Sequence, residues 1–355
     1  SEMCIRDSLL SYTDTVLAQK GGDWRVTGVS LRGTAVADSL NPQDGRYTLI
    51  TRGPVTEAHV IGALDRVLSG PTVGNDALDA MTSPGCRIVS LTVTEKGYGI
   101  TSDGRLDREH PAIVADLANP DAPTSVIGLI VAALSRRMTG GLPPFTVLSC
   151  DNLSHNGQKL RDAVLAFADQ TGGRLLSRWI AEKVAFPSTM VDRITPASNA
   201  QTAKLAVELT GREDHAAVET EPFSQWVIED KFCAGRPEWE CAGALFVDNV
   251  APYEKMKLRM LNGTHSMLAY SGQLSDKSFV RDVMADPDHA VLVRRHLAAA
   301  AATVEGLSID LDAYAAVLVE RFANPAIAHS TAQIAMDGTQ KLPQRITTPV
   351  SYTHL

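Results

Sequence analysis

The stretch FTVLSCDN, from Phe145 to Asn152, decides the fold of the first half of this chain. Its apolar and β-branched residues run without a polar alternation, which is typical of a strand buried on both faces of a parallel sheet. Two earlier runs, Trp24 to Leu31 and Arg87 to Glu95, have the same character. The sequence therefore predicts several buried parallel strands.

Helical patterns lie between and after these strands. Glu57 to Gly70 and Ala122 to Gly140 repeat apolar residues at helical spacing, and the second run ends at paired glycines, a common helix stop. A further helix at Arg174 to Val184 leads into a strand within Phe186 to Ile194. This alternation predicts an α/β sheet with right-handed crossovers.

The sequence changes character at about Trp226, where long helical patterns with few strand signals begin. These patterns cover residues 256–274, 289–307 and 311–323. A chain of 355 residues is also long enough for two domains rather than one core. We expect a boundary near Phe223 to Trp226 and a mainly helical second domain.

The two ends of the chain carry related coding sequences. MCIRDS, at Met3 to Ser8, and VSYTH, at Val350 to His354, can be encoded by the same DNA read in opposite orientations, as sequencing adapters or transposon ends would leave it. Such scars are excluded from fold reasoning. We therefore expect scars at residues 1–8 and 348–355, an α/β domain at 9–225 and a helical domain at 226–347.

Composition excludes some classes of partner. The net charge of −8 gives no reason to expect nucleic acid or an anionic membrane as a partner. The apolar stretch Val126 to Leu134 is too short to cross a bilayer. The cysteines show no paired framework, which fits a reducing compartment. We expect a cytoplasmic protein that is a monomer or a weak oligomer.

The segment KLRMLNGTH, from Lys257 to His265, holds the residues best suited to chemistry. At about 100° per residue, Lys257, Asn262, His265 and the preceding Glu254 fall within an arc of roughly 140°. A lysine whose pKa is lowered toward about 7–8 can act as a base, and amides can polarise an oxygen. The same spacing also fits an amphipathic helix with a solvated lysine, so both interpretations stay open.

Other polar positions have two interpretations as well. Asn152 ends a strand, and the carboxyl ends of parallel strands are where open α/β sheets bind ligands. The segment that follows is rich in turn formers, so Asn152 could instead cap a helix or form a turn, as could Asp151. Glu254 and Lys257 could form a plain surface pair.

Five separated segments resemble, in the same order, those of the mannitol dehydrogenase family of polyol and sugar-acid dehydrogenases, which are nicotinamide-dependent and zinc-independent. The likeness runs from about Gly21 to Arg345. The segments are SLTVTEKGY, SCDNLSHNG, FPSTMVDRITPA, KLRMLNGTHSMLAY and IAMDGTQKLPQR. The resemblance implies a Rossmann-like first domain and a helical second domain that holds the substrate.

The chain contains no G-x-G-x-x-G motif, the usual mark of a dinucleotide fold. The family carries its first strand and glycine-rich turn upstream of the strand at Trp24 to Leu31. We therefore expect a chain that is truncated at both ends, lacks its pyrophosphate cradle, binds NAD weakly and is itself inactive.

The resemblance also implies roles for single residues. Lys257 would be the general base, Asn152 and Asn262 would donate to the substrate oxygen as it gains negative charge, and His265 would orient that oxygen. Glu254 would pass the proton between Lys257 and bulk water.

Cofactor and substrate contacts follow from the same resemblance. Glu95 and Asp192 lie near the family's cofactor, although Asp192 could instead form a salt bridge with Arg193 or a turn. Lys341 matches a substrate-contacting lysine. Gln333 stands where mannitol-specific members tend to have arginine, which resembles the fructuronate reductases more closely.

The choice between the two nicotinamide dinucleotides depends on the residues after Leu31. The resemblance to the family favours NAD. NAD enzymes usually place an acidic residue after the second strand to bind the ribose hydroxyls, whereas an arginine can accommodate the 2′-phosphate of NADP. Arg32 follows the strand, and no acid occurs before Asp38. NAD is the expected cofactor, and NADP is not excluded.

Three other functions compete with this interpretation. A zinc polyol dehydrogenase needs ligands at metal spacing, which Cys233 and Cys241 do not provide, so we expect no metal. A Schiff-base lyase could use Lys257 as its nucleophile. A sugar- or nucleotide-binding protein could keep the fold without turnover. The resemblance favours an NAD-dependent dehydrogenase that interconverts mannitol with fructose, or mannonate with fructuronate.

Overall fold

A computed structural model describes residues 5–93, 95–101, 103–307, 309–336, 338–342 and 345–346, without the side chains at 95, 96, 340 and 341. The strands are β1 (Val26–Val29), β2 (Tyr47–Arg52), β3 (Thr56–Ile61), β4 (Leu64–Leu68), β5 (Ile88–Leu91), β6 (Thr146–Ser149), β7 (Thr189–Asp192), β8 (Val218–Thr220), β9 (Gln225–Glu229) and β10 (Leu245–Val247). The helices up to β8 are α1 (Leu10–Lys20), α2 (Ala35–Leu40), α3 (Val73–Thr82), α4 (Pro111–Ala118), α5 (Val126–Thr139), α6 (Asn156–Thr171), α7 (Gly173–Lys183) and α8 (Ala200–Thr210). Those that follow are α9 (Ala251–Met256), α10 (Gly263–Leu274), α11 (Val280–Met284), α12 (Pro287–Ala301), α13 (Leu311–Ala323), α14 (Thr331–Ala335) and α15 (Gly338–Leu342).

Shorter helical turns complete the description. Ile5–Leu9 and Lys257–Asn262 are π-helices, and 3₁₀ turns lie at Asn41–Gln43, Glu95–Tyr98 and Trp239–Ala242. Within the described ranges, no helix is both long and apolar enough to cross a bilayer.

The chain forms two compact units. Unit 1 comprises Ser1–Ile50, Ala58–Val218 and Ser224–Asn249, and unit 2 comprises Thr51–Glu57, Glu219–Phe223 and Val250–Leu355. Unit 2 is therefore discontinuous in sequence, since two short segments from the first half of the chain belong to it.

Unit 1 contains the parallel strands that the sequence predicts. The stretch at Phe145 to Asn152 forms β6, whose four residues are fully buried, and β6 pairs in parallel with β5 in the register Leu91↔Ser149. Strand β1 pairs in parallel with β4. The helix predicted after Ala122 is α5, and its apolar residues pack with those of α6 in the largest core cluster. The strand prediction for Phe145 to Asn152 is confirmed.

The prediction of a helix at Glu57 to Gly70 is wrong. This segment forms β3 and β4, with only Gly62 and Ala63 between them. Two short strands joined by two residues match a helical period here by chance. In runs of five or six residues, periodicity alone does not distinguish a strand from a helix. The glycine and the β-branched Val60 and Ile61 are the signals that favour strands.

Unit 2 is helical from Val250 onward, as the sequence predicts. The patterns at 289–307 and 311–323 form α12 and α13. Buried residues of α10, α11, α12 and α13 share one apolar core, to which Leu268, Val283, Leu297 and Leu318 contribute.

The boundary between the units differs from the one expected at residue 225. Residues 226–249 lie in unit 1, because β9 pairs antiparallel with β7 and β10 pairs parallel with β9. Short strands, each of which needs a partner strand, therefore extend unit 1 to Asn249.

The first described turn lies inside the segment expected to be a scar. In unit 1, Ile5–Leu9 runs directly into α1, and Asp7 is only 2% exposed. The Arg6 guanidinium donates to Ala216 O at 2.8 Å, and the Asp7 carboxylate accepts from the Thr195 hydroxyl. Residues 347–355, which include the second expected scar, lie outside the described residues.

Candidate active site

The segment Lys257–Asn262, expected to be α-helical, forms a π-helix between α9 and α10. Its wide turn is closed by the backbone N–H of Gly263, which donates to Leu258 O, five residues earlier. In an α-helix, residues five apart are rotated by about 140° from one another. A π turn winds less per residue, so residues five apart are rotated by a smaller angle. Lys257 and Asn262 therefore share one side of the helix more closely than the sequence predicts.

The polar residues on this continuous helix differ in burial. Lys257 and His265 are each 7% exposed, whereas Glu254 and Asn262 are half-buried. Burial of an ammonium-bearing side chain carries a desolvation cost, which exposed lysines do not have. Lys257 is therefore not the solvated lysine of an ordinary amphipathic helix, which was the alternative interpretation of its spacing.

The imidazole of His265 is enclosed by aromatic rings and positive groups of unit 2. The Phe322 ring lies 4.8 Å from it, and the His329 ring lies 5.0 Å from it, both edge to face. Burial lowers the pKa of His265 well below its usual value, and the nearby His329, Arg321, Arg345 and Lys257 lower it further. The neutral form of His265 is therefore strongly favoured.

Gly263 allows a close approach at the start of α10. A Cβ at this position would lie 3.0 Å from Arg345 O and 3.2 Å from His296 Nε2. The Arg345 guanidinium also donates to the Ser266 hydroxyl at 3.1 Å. Glycine is therefore needed where the backbone of Arg345 packs against the end of the π-helix.

Three enclosed or half-buried histidines of unit 2 make stability depend on pH. Burial lowers the pKa values of His265, His296 and His329, and that of His329 falls to about 4. The unfolded chain therefore binds protons at a higher pH than the folded chain. The contribution of these histidines to the free energy of unfolding is complete above about pH 6.5, and it is lost as the pH falls toward 4. We expect the free energy of unfolding to be lower at pH 5 than at pH 7.5, by about 2 kcal/mol from His329 alone.

Denaturant unfolding at pH 7.5, 6 and 5 checks this expectation, and His329→Phe should flatten part of the dependence. The Lys277 ammonium lowers the pKa of Asp286 to about 2, so that carboxylate titrates below the measured range. An unfolding free energy that is the same at all three pH values would contradict the prediction.

In unit 1, the loop after β6 is fixed by the half-buried Asp151 and the buried Asn156. The Asp151 carboxylate accepts from the Val93 backbone N–H at 2.9 Å and from the Tyr98 hydroxyl at 2.6 Å. The Asn156 amide donates to the carbonyls of Ser149, Asp151 and Thr189, at 3.2, 3.1 and 2.9 Å. The exposed Asn152 therefore lies in a loop that is tied to β5, β6 and β7.

We predict that Asn156→Ala destabilises the chain by about 1–3 kcal/mol, because buried backbone groups lose their hydrogen-bond partner. The Asn156 carbonyl also accepts from the Thr189 N–H at 3.0 Å, so both ends of the side chain are used. Denaturant unfolding measures the loss. Gln158→Ala, an exposed position on the same helix, is the control and should change stability by less than about 0.5 kcal/mol. Equal stability of the two variants would contradict a structural role for Asn156.

The other expected site residues lie at several places. Asp192 ends β7 and is 2% exposed, and Arg32 is exposed just after β1. The backbone of Glu95 begins a 3₁₀ turn beyond β5, and that of Lys341 lies in α15; their side chains are outside the described residues.

The residues after β1 fit the ribose end of a dinucleotide. The Arg32 guanidinium is exposed, and a Cβ on Gly33 would meet no atom within 4 Å, so the backbone there is open. The Asp38 carboxylate accepts from the Thr34 hydroxyl at 2.8 Å and so is engaged within α2. An exposed guanidinium beside open backbone suits a ribose or its phosphate.

Some structurally important residues were not predicted from the sequence. His329 contacts His265 across 64 positions of sequence, and Glu221 binds Arg321 across 100. No local pattern marks either pair. Asn156 lies within the turn-forming run DNLSHNG, but that run was interpreted as a cap or turn only at Asn152 and Asp151.

Comparison with known families identifies the chain. Residues 9–241 match the mannitol dehydrogenase Rossmann domain, and residues 249–354 match the mannitol dehydrogenase C-terminal domain. The chain belongs to the mannitol dehydrogenase family. The family's two domains confirm the Rossmann-like first domain and helical second domain expected from the sequence.

Several known oxidoreductases resemble the chain over most of its length. It is 46% identical over 341 residues to YdfI, an uncharacterized oxidoreductase of Escherichia coli K12. That alignment covers 94% of this chain and 70% of YdfI. It is 45% identical over 349 residues to the D-mannonate oxidoreductase of the same strain, with 96% and 71% covered. A mannitol 2-dehydrogenase of Pseudomonas fluorescens, solved with NAD and D-mannitol, has a TM-score of 0.90 at 40% identity, with 98% and 72% covered.

Proposed function

We propose that this member of the mannitol dehydrogenase family is an NAD-dependent, zinc-independent oxidoreductase that interconverts a sugar polyol or aldonate with its ketose or keto-acid. The observation that supports it most directly is the single helix from Ala251 to Leu274. That helix carries buried Lys257 and His265, with Asn262 on the side of Lys257.

Lys257 is proposed to be the general base that takes the proton from the substrate hydroxyl. Its burial supports this role, because a buried side chain is held at a fixed place on the helix, away from most of the solvent. Glu254 lies one turn earlier on the same helix and is half-buried. It is proposed to pass the proton between Lys257 and water.

Asn152, Asn262 and His265 are proposed to stabilise the substrate oxygen. Amide N–H groups fixed by the fold can donate to an oxygen that gains negative charge without reorganising. The loop that carries Asn152 is held by Asn156, and Asn262 ends the π-helix. The neutral imidazole of His265 can donate one hydrogen bond and accept another, which orients the same oxygen.

Glu95, Asp192 and Arg32 are proposed to contact the dinucleotide. When bound, the nicotinamide accepts or supplies the hydride. Asp192 is the last residue of β7, and Glu95 lies beyond the end of β5, so both are at the carboxyl ends of strands, where α/β sheets bind such cofactors. NAD is proposed because the similar mannitol 2-dehydrogenase was solved with NAD, while exposed Arg32 leaves NADP open.

Among substrates, mannonate is favoured over mannitol. The chain is 45% identical to a D-mannonate oxidoreductase and 40% identical to a mannitol 2-dehydrogenase of known structure. Gln333 is exposed on α14, at the position where mannitol-specific members tend to have arginine. Lys341 is proposed to contact the sugar. The enzyme is proposed to act in the cytoplasm as a monomer or weak oligomer.

A substrate panel on the full-length gene product tests this function. Nicotinamide absorbance is followed with mannitol, arabinitol, sorbitol, mannonate and altronate, each with NAD and with NADP, before and after treatment with a metal chelator. We expect turnover of mannonate with NAD, faster than that of mannitol, which the chelator does not change. Binding without turnover of any substrate would favour a sugar-binding protein. Borohydride trapping of substrate on Lys257 would favour a Schiff-base lyase.

A further inference from the structure

In unit 1, a closed set of hydrogen bonds joins the turn after β5 to the loop after β6. The 3₁₀ turn Glu95–Tyr98 ends at Tyr98, which is 2% exposed. The Tyr98 hydroxyl lies 2.6 Å from an oxygen of the Asp151 carboxylate and 2.8 Å from the Ser149 hydroxyl. The Asp151 N–H in turn donates to that serine hydroxyl at 3.4 Å, which closes the set. The turn and the loop are therefore connected through side chains as well as through the paired strands.

The direction of these hydrogen bonds follows from the donors present. Burial raises the pKa of Tyr98 well above its usual value, and the adjacent Asp151 raises it further, so the hydroxyl keeps its proton. An ionised carboxylate can only accept, so Tyr98 donates its one proton to Asp151 and accepts from the Ser149 hydroxyl. A hydroxyl that is enclosed and engaged on both sides is not available to exchange a proton with a substrate. Its role is to hold other groups.

The Asp151 carboxylate acts at the point where the backbone pairing of β5 and β6 ends. The two strands pair up to Leu91 and Ser149, and the Cys150 N–H donates to Leu91 O at 2.8 Å. Beyond these residues the Val93 N–H donates to the Asp151 carboxylate at 2.9 Å, so a side chain takes the place of a backbone acceptor. Open α/β sheets bind ligands outside the carboxyl ends of their strands. Asp151 therefore holds the two segments together at the ligand-binding edge of the sheet.

The turn that ends at Tyr98 is also fixed by the residues that follow it. Gly99 has a φ of 61°, and a Cβ at this position would lie 2.7 Å from Ile113 Cγ1. The Gly99 carbonyl accepts from the Asp107 N–H at 2.9 Å. A shift of the turn would therefore move the Tyr98 hydroxyl, and with it the carboxylate of Asp151.

We propose that Tyr98 is a positioning residue whose hydroxyl, through Asp151, sets the place of Asn152 and links it to the turn that begins at Glu95. This rests on the proposed function, in which Asn152 donates to the substrate oxygen and Glu95 contacts the dinucleotide. Asn152 directly follows Asp151 and is exposed. A donor displaced by about 1 Å from the reacting oxygen loses much of its effect on the transition state. Loss of the Tyr98 hydroxyl should therefore lower kcat more than it raises KM.

Tyr98→Phe in the full-length gene product removes the hydroxyl and keeps the ring. With the best substrate of the panel, we expect kcat to fall by about 10-fold with KM within a factor of about two. The pH profile of kcat should run parallel to that of the wild type, because Tyr98 transfers no proton to the substrate. Tyr12→Phe is the matched control, since Tyr12 is also buried in unit 1 and its hydroxyl lies 3.0 Å from that of Ser224. It should keep kcat within a factor of about two.

A second background shows whether Tyr98 acts through Asn152. Asn152→Ala should lower kcat by about 10²-fold, and adding Tyr98→Phe to it should lower kcat by less than a further factor of about two. Should Tyr98→Phe not fold, Asp151→Asn replaces it, because an amide keeps the size of the carboxylate but accepts more weakly. The loss that Asp151→Asn causes should likewise disappear in the Asn152→Ala background.

Hydrogen exchange measures the link between turn and loop without turnover. The backbone amides of residues 150–155 should exchange faster in Tyr98→Phe than in the wild type, by about 5-fold or more. In Tyr12→Phe they should exchange at the wild-type rate.

Three results would overturn the inference: a wild-type kcat in Tyr98→Phe, an undiminished effect of Tyr98→Phe in the Asn152→Ala background, or an equal loss in Tyr12→Phe. A wild-type kcat in Asn152→Ala would reject Asn152 as the donor, and the inference with it. A protein that turns over no substrate would reject the proposed function, and hydrogen exchange would then decide on the link. Faster exchange in Tyr98→Phe alone would keep the link, and wild-type exchange would reject it.

Discussion

Lys257→Ala is expected to lower turnover by a factor of about 10² or more, with little change in the stability of the fold. The reason is that the proposed proton transfer needs an amine at one place on the π-helix, and water is a poor substitute for a positioned base. Turnover of the best substrate of the panel, measured in the full-length gene product, checks the expectation. KM should change less than kcat, because the lost interaction is made mainly in the transition state.

Two further variants separate the base role from a charge role. Lys257→Arg keeps a positive charge but cannot lose its proton near neutral pH, so it should be as inactive as the alanine variant. Lys255→Ala removes a half-buried lysine of the same helix and should retain turnover within a factor of about two. Wild-type turnover in Lys257→Ala would remove Lys257 from the mechanism. An active Lys257→Arg variant would show that charge, and not proton transfer, is what this position supplies.

Glu221→Gln is expected to lower the free energy of unfolding by about 3–5 kcal/mol, because it leaves the Arg321 guanidinium buried without its counter-ion. Glu221 and Arg321 are 1% and 8% exposed. The guanidinium donates to the carboxylate through Nε at 2.9 Å and Nη2 at 2.7 Å, and it stacks 4.0 Å from the Phe223 ring centre. This two-point geometry, out of water, is where a lost partner is most destabilising.

The control is the exposed pair Arg178 and Glu182, whose atoms are also 2.7 Å apart. Glu182→Gln should leave the unfolding transition unchanged, since solvent screens surface pairs. The double variant Glu221→Gln, Arg321→Met should be more stable than Glu221→Gln alone, because it removes the unpaired charge as well. A Glu221→Gln variant as stable as Glu182→Gln would show that the buried pair is dispensable.

How much of the fold the sequence predicts depends on the range of the interactions concerned. The strand at Phe145 to Asn152 and the helix after Ala122 were predicted correctly, because a run of neighbouring apolar residues indicates each of them. The segment from Glu57 to Gly70 was not, because two adjacent short strands share the spacing of a helix. Strand pairing places Trp226 in unit 1, and pairing partners cannot be recognised from a single run of residues.

For the candidate site, the sequence supplied the residue types but not the geometry. The spacing of Lys257, Asn262 and His265 predicted a shared helix, which the structure has. It did not predict the π turn, because that turn depends on one displaced hydrogen bond and not on composition. The partners of His265 and Arg321 come from distant segments, so only the folded chain brings His329 and Glu221 to them.

The discontinuity of unit 2 has a consequence for dissecting the gene. An expression clone that starts at Val250 would encode the described helices of unit 2 but would omit Thr51–Glu57 and Glu219–Phe223. It would lack the carboxylate that neutralises Arg321, and the Arg52 carbonyl that accepts from the Asn324 amide at 2.9 Å. Such a clone should yield aggregated or protease-sensitive material, whereas supplying residues 219–223 as a covalent extension should improve its recovery.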